Sequence, residues 1–362
     1  MSEMMAAVVL TGHGDLDKLA WHDDWPKPVA GPGEVVIKVG ACGLNNTDVN
    51  TRTGWYSKGV TEGTTGSSLD GASDEDGTWG GAPITFPRVQ GADVCGIVES
   101  VGADVEGGLV GKRVLVDPWH MDPAAPTDLT KARYYGSEMD GGFAEFAKAR
   151  ASNVYPVVSS LSDAELATFA TSWVTAENML FRAGVGAGDT VLITGASGGV
   201  GSALIQLTAR RGATPIALAG AAKAEGVKAA GAAAVIDSRT TTLAADLKSA
   251  TGIDKVSVVA DVVGGAAFPE LIERLERGGR YVCSGAIAGP MVALDLRTFY
   301  LNDLSFFGAT IAGPDRFADL IGYLDAGELK PLLAAEYALK DFHAAQTAFM
   351  EKSHVGNIVV IP

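Results

Sequence analysis

The chain has 362 residues, which at roughly 100–200 residues per domain predicts two domains or one large composite domain and excludes a disulfide-stapled miniprotein. Its 43 acidic and 28 basic side chains give a formal charge of −15. No Lys/Arg-rich run is present to attract a phosphate backbone, so we expect no nucleic-acid partner. The three cysteines lack C-x-x-C spacing, which excludes a disulfide framework and a four-cysteine zinc site. Without a basic leader or a run of roughly 18–20 apolar residues, a cytoplasmic protein with no membrane partner is expected.

The first 155 residues contain short β-type runs separated by Gly and Pro, which predicts a β-rich region with little helix. These runs lie at 6–10, 34–41, 97–101, 113–117 and 144–148. Residues 57–82 are dominated by Gly, Ser, Thr and Asp and interrupt the pattern. A loop this long is typical of a lid, a binding loop or a disordered segment, and the sequence leaves these alternatives open.

From Ser162 onward the period of the pattern changes. Ser162 and Glu165 have the spacing of a capping box, and helix formers follow as far as Ala183. Strands and helices of about ten residues then alternate, which predicts βαβ units on a parallel sheet. The expected strands are 191–195, 214–219, 233–237, 256–263, 279–285 and 304–310, and the helices between them lie near 199–211, 222–230, 243–250 and 267–276.

Two further helical stretches and a strand at 357–361 close the chain, and we assign that strand back to the first domain. The predicted division is therefore a β-rich domain of residues 1–157 and 313–362, with a dinucleotide-binding domain of residues 158–312 inserted into it.

A glycine-rich segment after the first strand of the alternating region is the strongest chemical signal. Gly195, Gly198 and Gly201 are spaced G-x-x-G-x-x-G between a strand and a helix, and Ala196, Gly198 and Gly201 form the related A-x-G-x-x-G. Small residues let the chain turn sharply and bring N–H groups against a pyrophosphate at a helix N-terminus. We therefore assign cofactor binding to the whole loop, Gly195, Ala196, Ser197, Gly198, Gly199, Val200 and Gly201.

The end of the second strand indicates which dinucleotide is bound. NAD sites usually place an acidic residue there, about 20 residues after the glycine loop, whereas residues 217–223 contain no acid and end in Lys223. Lys223, helped by Arg239, can attract a 2′-phosphate, so NADPH is favoured. The alternative is that Lys223 is a solvated lysine on a helix face.

The order of a β-rich domain, a helix, a glycine-loop domain and a C-terminal return resembles the medium-chain dehydrogenase/reductase superfamily over essentially the whole chain. The resemblance implies an α/β fold, with a Rossmann doubly wound parallel sheet and a β-rich GroES-like catalytic domain. It also implies a homodimer, formed by pairing of strands such as 304–310. Zinc-binding members carry Cys or His ligands at positions that hold Asn45, Ala92 and Thr171 here, and none of these can supply a thiolate or an imidazole. We therefore expect no metal.

The zinc-independent quinone oxidoreductase branch is the better match. Its pattern N-x-x-D-x-x-x-R-x-G-x-Y is met by Asn45, Asp48, Arg52, Gly54 and Tyr56. In that branch the Asn and Tyr face the substrate, which makes Asn45 and Tyr56 the catalytic candidates. A turn-capping Asn and a packed Tyr are the alternatives. A further Tyr of the branch is replaced by Asn50.

Other positions follow from the resemblance or from spacing. Thr175, Gly264 and Gly285 are similar to residues that line the nicotinamide in the family, although the glycines could equally serve as ordinary turns. Asp48 and Arg52 are four residues apart, so a helix there would make them a structural ion pair.

Together these patterns predict an NADPH-dependent, zinc-independent oxidoreductase that transfers hydride to a small-molecule quinone or α,β-unsaturated carbonyl. A zinc-free alcohol or carbonyl dehydrogenase is the close alternative. A non-catalytic NADPH-binding protein is the distant one.

Overall fold

The structure, a computed structural model, describes residues 3–81, 83–105 and 107–362. Its strands are β1 (Met4–Leu10), β2 (Leu19–Pro26), β3 (Glu34–Gly43), β4 (Arg88–Val89), β5 (Asp93–Val101), β6 (Arg113–Val116), β7 (Trp119–His120), β8 (Arg133–Tyr134), β9 (Phe146–Arg150), β10 (Val154–Pro156), β11 (Thr190–Ile193), β12 (Thr214–Ala219), β13 (Ala234–Asp237), β14 (Val256–Asp261), β15 (Leu275–Cys283), β16 (Ser305–Gly308), β17 (Leu333–Ala338) and β18 (Asn357–Ile361). Its α-helices are α1 (Asn46–Thr53), α2 (Asp163–Leu166), α3 (Ala170–Arg182), α4 (Gly199–Arg210), α5 (Ala224–Ala229), α6 (Leu243–Thr251), α7 (Phe268–Glu273), α8 (Leu296–Leu301), α9 (Pro314–Asp325) and α10 (Phe342–Glu351). In this part of the chain no helix has the length and apolar character needed to cross a membrane.

A six-stranded parallel sheet forms the second half of the molecule, in the order β13-β12-β11-β14-β15-β16. This is the doubly wound Rossmann order. The first three strands extend the sheet to one side of β11 and the next three extend it to the other, so the topological switch point lies between β11 and β14. Every residue of β14 is buried, as expected of a central strand covered on both faces. Trp173 of α3, Leu204 of α4 and Val258 of β14 share one core. The predicted α/β class is confirmed.

The β-rich half contains a seven-stranded sheet in the order β10-β6-β5-β3-β18-β17, with β9 also pairing β3, and a three-stranded sheet in the order β2-β1-β4. Val8, Ile37 and Val98, from three different strands, are buried in its core. The last strand, β18, runs antiparallel to β3, so the C-terminus returns to the sheet built by the first third of the chain. This half is the GroES-like domain.

The exact division between the domains is a proposal. Helix α10 places Phe342 and Phe349 in the core of the β-rich half. Helix α9 instead places Phe317, Leu320 and Leu324 in the core that includes α3 and β14. This packing favours a second boundary after α9, at about residue 326, rather than at residue 313.

Several elements differ from the sequence prediction, among them β2, β4, β7, β8, β10 and α8, which were not predicted. The helix expected from Ser162 to Ala183 is two helices, α2 and α3, because the chain turns at residues 167–169. The capping box at Ser162 is confirmed, since Ser162 Oγ accepts from Glu165 N at 3.2 Å and Ser162 N donates to Glu165 Oε2 at 2.8 Å. Strand β17 and helix α1 were not predicted. Helix α1 reads NTDVNTRT, which carries no apolar stripe that periodicity could detect.

The described part of the 57–82 loop runs from 57 to 81 and follows turns rather than strands or helices. It is tied to both halves of the molecule. Arg52 Nη2 donates to Gly66 O at 2.8 Å in the β-rich half, and Thr64 N donates to Ile287 O at 2.9 Å beyond β15. The loop therefore bridges the two halves beside the carboxyl end of the parallel sheet.

Candidate functional site

The glycine loop connects β11 to α4 and is packed too closely for side chains. Gly195 has φ +57°, in the left-handed region that favours glycine. A Cβ on Gly201 would lie 2.2 Å from Gly195 O and 2.5 Å from Ala196 Cα. The first turn of α4 presents N–H groups without intrahelical acceptors. This cradle of small residues and free donors fits the pyrophosphate of a dinucleotide.

Asp261 holds together the strand ends beside this loop, and the sequence analysis did not single it out. Its carboxylate is fully buried and accepts hydrogen bonds from Thr194 Oγ1 at 2.5 Å, Tyr281 OH at 2.7 Å and Gly264 N at 3.1 Å. Thr194 follows β11, Tyr281 belongs to β15, and Gly264 follows β14. An acidic residue at the end of a mostly apolar strand was the available signal.

The two predicted glycines, Gly264 and Gly285, follow the carboxyl ends of the neighbouring strands β14 and β15. Gly264 has φ +63° and ψ −146°, a conformation essentially restricted to glycine. A Cβ on Gly285 would lie 2.9 Å from Val262 O. Both positions therefore need glycine, because a Cβ would strain or clash with the backbone there.

A basic cluster lies against the glycine loop. Lys223 Nζ donates to Ser197 Oγ at 3.3 Å and to the carbonyl oxygen of Lys352, and partial burial lowers the pKa of Lys223. Lys352 Nζ donates to Asn46 Oδ1 at 2.8 Å. Burial and the neighbouring Lys223 charge lower the pKa of Lys352 to about 7. Burial, together with the charges of Lys352 and Lys223, lowers the pKa of His354 to about 4.

The sequence analysis identified Lys223 but missed Lys352, which is 129 residues away in the chain. Arg239, suggested as a helper, is 80% exposed and pairs with Asp237 at 3.8 Å instead. Three basic groups crowded into one place raise each other's electrostatic energy, and an anion between them would lower it. The cluster is therefore suited to hold phosphate groups.

The C-terminal strand also contacts the glycine loop. Gly356 N donates to Ser197 O at 2.9 Å, and Asn357 Nδ2 donates to Ser172 Oγ at 3.0 Å on α3. A Cβ on Gly199 would lie 2.4 Å from that Ser172 Oγ. The loop is thus positioned by both halves of the molecule.

The two catalytic candidates flank α1, with Asn45 before its first residue and Tyr56 after its last, and the Tyr56 hydroxyl reaches back to the first turn. Asn45 is the N-cap residue, and its N–H donates to Asp48 Oδ2 at 2.7 Å, so the capping interpretation describes its backbone correctly. Tyr56 OH donates to Thr47 Oγ1 at 3.1 Å. Burial raises the pKa of Tyr56, opposed by its hydrogen bond to Thr47. The phenol therefore stays protonated at neutral pH and can act as a proton donor.

The expected ion pair between Asp48 and Arg52 is wrong. Arg52 is fully buried and donates to Gln346 Oε1 at 2.8 Å, to Gly14 O at 2.6 Å and to Gly66 O. Asp48 instead closes the capping box with Asn45. The guanidinium is drawn to the carbonyls of two loops and to a residue 294 positions later, which helical spacing alone cannot reveal.

The three positions that match zinc ligands in other members converge on Asp93. Asp93 Oδ1 accepts from Thr171 N at 2.8 Å and Thr171 Oγ1 at 2.5 Å, and Tyr134 OH is 2.7 Å from the same Thr171 oxygen. Burial raises the pKa of Asp93 to about 6, and the Thr171 and Asn45 side chains beside it oppose this rise. Burial likewise raises the pKa of Asp48 to about 8.

This donor set does not fit zinc. Asn45 offers an amide, Ala92 a methyl group and Thr171 a hydroxyl that is already bonded to Asp93. Within residues 3–81, 83–105 and 107–362, no three His, Cys, Asp or Glu side chains are grouped so that they could hold a metal ion. Thr175, predicted to line the nicotinamide, lies one turn after Thr171 on the same face of α3 and is partly exposed.

A doubly wound sheet with a glycine cradle at its switch point, joined to a GroES-like domain, defines the architecture of two-domain dehydrogenases and reductases. The family model of the alcohol dehydrogenase GroES-like domain matches residues 31–159, and that of the zinc-binding dehydrogenases matches residues 199–326. The structure of a putative alcohol dehydrogenase from Sinorhizobium meliloti 1021 is 43% identical, with a TM-score of 0.89, covering 100% of this chain and 98% of that one.

Two curated relatives are similar along most of their length. Quinone oxidoreductase from Mus musculus is 28% identical over 351 residues, which cover 93% of this chain and 92% of the relative. Acryloyl-coenzyme A reductase from Sulfurisphaera tokodaii is 27% identical over 370 residues, which cover 99% of this chain and 100% of the relative. The chain therefore belongs to the medium-chain dehydrogenase/reductase superfamily, and within it is quinone oxidoreductase-like. The predicted family is confirmed, and the protein is an oxidoreductase.

Proposed function

We propose that this protein is an NADPH-dependent reductase that transfers hydride to a quinone or an α,β-unsaturated carbonyl without zinc. The observation that carries the proposal is the site at Asp93, where Asn45, Ala92 and Thr171 replace the ligands that zinc requires. Without a Lewis acid to polarise an alcohol oxygen, a conjugated acceptor that spreads negative charge by itself is the more natural substrate.

The assignment of NADPH rests on charge around the glycine loop. Strand β12 ends without an acidic residue, so no carboxylate repels a 2′-phosphate. Lys223 lies 3.3 Å from Ser197 Oγ, and Lys352 lies beside Lys223. We propose that Ser197 and Lys223 hold the 2′-phosphate, and that Gly195–Gly201 and Lys352 hold the pyrophosphate.

When bound, the reduced nicotinamide supplies the hydride. The proposed role of this chain is to place the acceptor beside Thr175, Gly264 and Gly285, between the two domains. Asn45 orients the acceptor, and Tyr56 Oη, or a water beside it, donates the proton that neutralises the reduced oxygen. The phenol carries its proton at neutral pH, and its raised pKa means that it gives that proton only to a strongly basic oxygen such as an enolate.

The relatives support the same chemistry. The names of the mouse and Sulfurisphaera proteins refer to a quinone and to an acryloyl thioester, and both compounds are conjugated acceptors. A zinc-free alcohol or carbonyl dehydrogenase is the second candidate, favoured by the 43% identical putative alcohol dehydrogenase. A non-catalytic NADPH-binding protein is the third.

We further propose a homodimer and a cytoplasmic location. Strand β16 is an edge strand of the parallel sheet, and Leu296, Tyr300 and Leu301 of the adjacent α8 are more than half exposed although apolar or aromatic. A second copy paired along this edge would cover them. The three cysteines are free thiols, which suits a reducing compartment.

The deciding experiment compares two directions of reaction. NADPH oxidation is followed with a quinone, an enone and an enoyl thioester, and NADP+ reduction is followed with a panel of primary and secondary alcohols. We expect turnover with conjugated acceptors and no alcohol-driven reduction, in protein that contains less than 0.1 zinc per chain by elemental analysis, a threshold of roughly one tenth chosen to exclude a stoichiometric site. Stoichiometric zinc or faster alcohol oxidation would contradict the proposal. Tight NADPH binding without turnover would favour the non-catalytic alternative.

A further inference from the structure

A cavity of about 390 Å³ lies in the β-rich domain beside strand β9. None of its lining residues belongs to the glycine loop or to the parallel sheet. It is lined by the apolar side chains of Trp25, Met139 and Phe146, by the cations Arg88, Arg133, Lys148 and Arg150, and by the carboxylates of Glu34, Glu138 and Asp140. Its volume is in the range of small-molecule pockets, and the site proposed for catalysis does not use it.

The cations lining the cavity are only partly neutralised. Arg88 pairs with Asp140 at 2.8 Å, and Lys148 pairs with Glu34 at 2.9 Å. By contrast, Arg150 Nη1 donates to Met121 O at 2.5 Å, and Arg133 Nη2 donates to Glu138 O. Among the residues that the structure describes, neither of these two arginines has a carboxylate within 4.0 Å of its nitrogens. Two guanidinium charges therefore border the cavity without a direct counter-ion.

His120 adds an unpartnered polar group to the same wall. Its ring is 1% exposed and stacks on Tyr135, with ring centroids 5.4 Å apart. Neither ring nitrogen has a hydrogen-bond partner within the described chain. Burial, helped by the charges of Arg150 and Arg133, lowers the pKa of His120 to about 3, so the ring is neutral and keeps one N–H donor. The positive field that disfavours a protonated His120 favours an anion at this place.

We propose that this cavity binds a small organic carboxylate. The guanidinium forks of Arg133 and Arg150 match the two oxygens of a carboxylate, and the N–H of His120 is free to donate to it. The apolar side chains that line the cavity pack against the body of the acid. A bare inorganic anion would leave that apolar surface uncovered, so the arrangement favours an acid with an apolar body.

A chain of hydrogen bonds runs from the cavity toward Asp93. Glu138 lines it, and Glu138 Oε2 accepts from Trp79 Nε1 at 2.9 Å and from Tyr134 N at 2.8 Å. Trp79 belongs to the 57–82 loop, and Tyr134 OH is 2.7 Å from Thr171 Oγ1. Tyr134 is therefore two hydrogen bonds from Asp93, through Thr171.

The test measures binding of benzoate to the full chain by isothermal titration calorimetry and by thermal shift, without any substrate or cofactor. Benzyl alcohol serves as the uncharged probe and inorganic phosphate as the probe without an apolar body. We expect benzoate to bind and to raise Tm, and we expect the Arg150→Met and Arg133→Met variants each to weaken binding at least about tenfold. The matched control Arg239→Met removes an exposed arginine outside the cavity and should leave benzoate affinity unchanged.

Two outcomes would overturn the proposal. Equal binding of benzyl alcohol, or undiminished benzoate binding by both arginine variants, would show that the charges do not recognise a carboxylate. Binding of phosphate but not of benzoate would exclude an organic acid. Arg133 is exposed, so its variant keeps the test valid if Arg150→Met fails to fold.

Discussion

Individual side chains in this protein are governed by burial as much as by their own chemistry. Asp93 and Asp48 are almost fully buried close to the catalytic candidates, and burial raises the pKa of each. Burial also lowers the pKa of Lys352 to about 7, because the charged ammonium group loses its hydration. The protonation states of these three groups are therefore set by their position in the fold, and all three pKa values lie near physiological pH.

The first prediction concerns Lys223. Replacing Lys223 with Ala should raise the KM for NADPH roughly tenfold, because a charge-assisted contact to the 2′-phosphate is lost, while the KM for NADH stays unchanged. Steady-state kinetics with both cofactors provide the measurement. Lys228→Ala, an exposed lysine on α5, is the control. An equal rise in both KM values would show that Lys223 does not read the 2′-phosphate.

The second prediction concerns pH. Folding raises the pKa of Asp48 from 3.8 to about 8, so the folded state binds more protons than the unfolded state between those values. The contribution of Asp48 to the free energy of unfolding should therefore fall as pH rises from about 4 to about 8. Asp93 and Asp117 add to this fall up to about pH 6 and 7, whereas the lowered pKa values of His120 and His354 oppose it below about pH 6.5.

The Asp48→Asn variant isolates this effect in urea unfolding across the same pH range. It keeps an oxygen acceptor for Asn45 N but no longer titrates, so the fall should flatten between about pH 6 and 8. Each pKa unit corresponds to about 1.36 kcal/mol. Asp23→Asn, an exposed site, should keep the original slope. A slope unchanged in Asp48→Asn would contradict the assignment.

Among the elements, those with strong local patterns were the ones that could be predicted. Strand β12 has the bounds expected, and helix α4 ends one residue before its expected end, because a short apolar run and a helix that follows a glycine loop are short-range features. Helix α1 escaped prediction because its eight residues are mostly polar and its stability comes from buried contacts with distant loops. Local periodicity does not carry that information.

The third prediction concerns the glycine loop. Gly201→Ala places a methyl group 2.2 Å from Gly195 O, so strand and helix must separate. We expect a loss of about 1–3 kcal/mol of stability and of NADPH binding, measured by thermal unfolding and by cofactor fluorescence. Gly186→Ala is the matched control, because a Cβ there meets nothing within 4 Å. Normal NADPH affinity in Gly201→Ala would refute the assigned cradle.

Across the whole molecule, the site depends on contacts between its halves. The C-terminal return places Gly356 on the glycine loop and Lys352 beside Lys223, and the 57–82 loop reaches the segment after β15 through Thr64. The catalytic candidates lie in the β-rich half and the glycine loop in the other, so neither half alone contains both parts of the proposed site.

The fourth prediction concerns assembly. Light scattering should give a molar mass of twice 37.2 kDa, because a homodimer paired along β16 covers the exposed side chains of α8. The double variant Tyr300→Asp/Leu301→Asp should shift this mass toward the monomer, since burying two carboxylates at an interface costs several kcal/mol. Val29→Asp, at a site 81% exposed on β-rich loop surface, should remain dimeric. A monomeric wild-type chain would contradict the proposed assembly.

What the sequence determined by itself was the family, the α/β class, the glycine loop and the absence of zinc-type ligands at Asn45, Ala92 and Thr171. Each of these depends on residue types within short segments, where spacing and small side chains are directly readable. The tertiary structure decided the partner of Arg52, the pairing of Lys223 with Lys352 and the bond between Asp93 and Thr171. These contacts join residues 78 to 294 positions apart, and no local pattern specifies which distant side chains meet in a folded core.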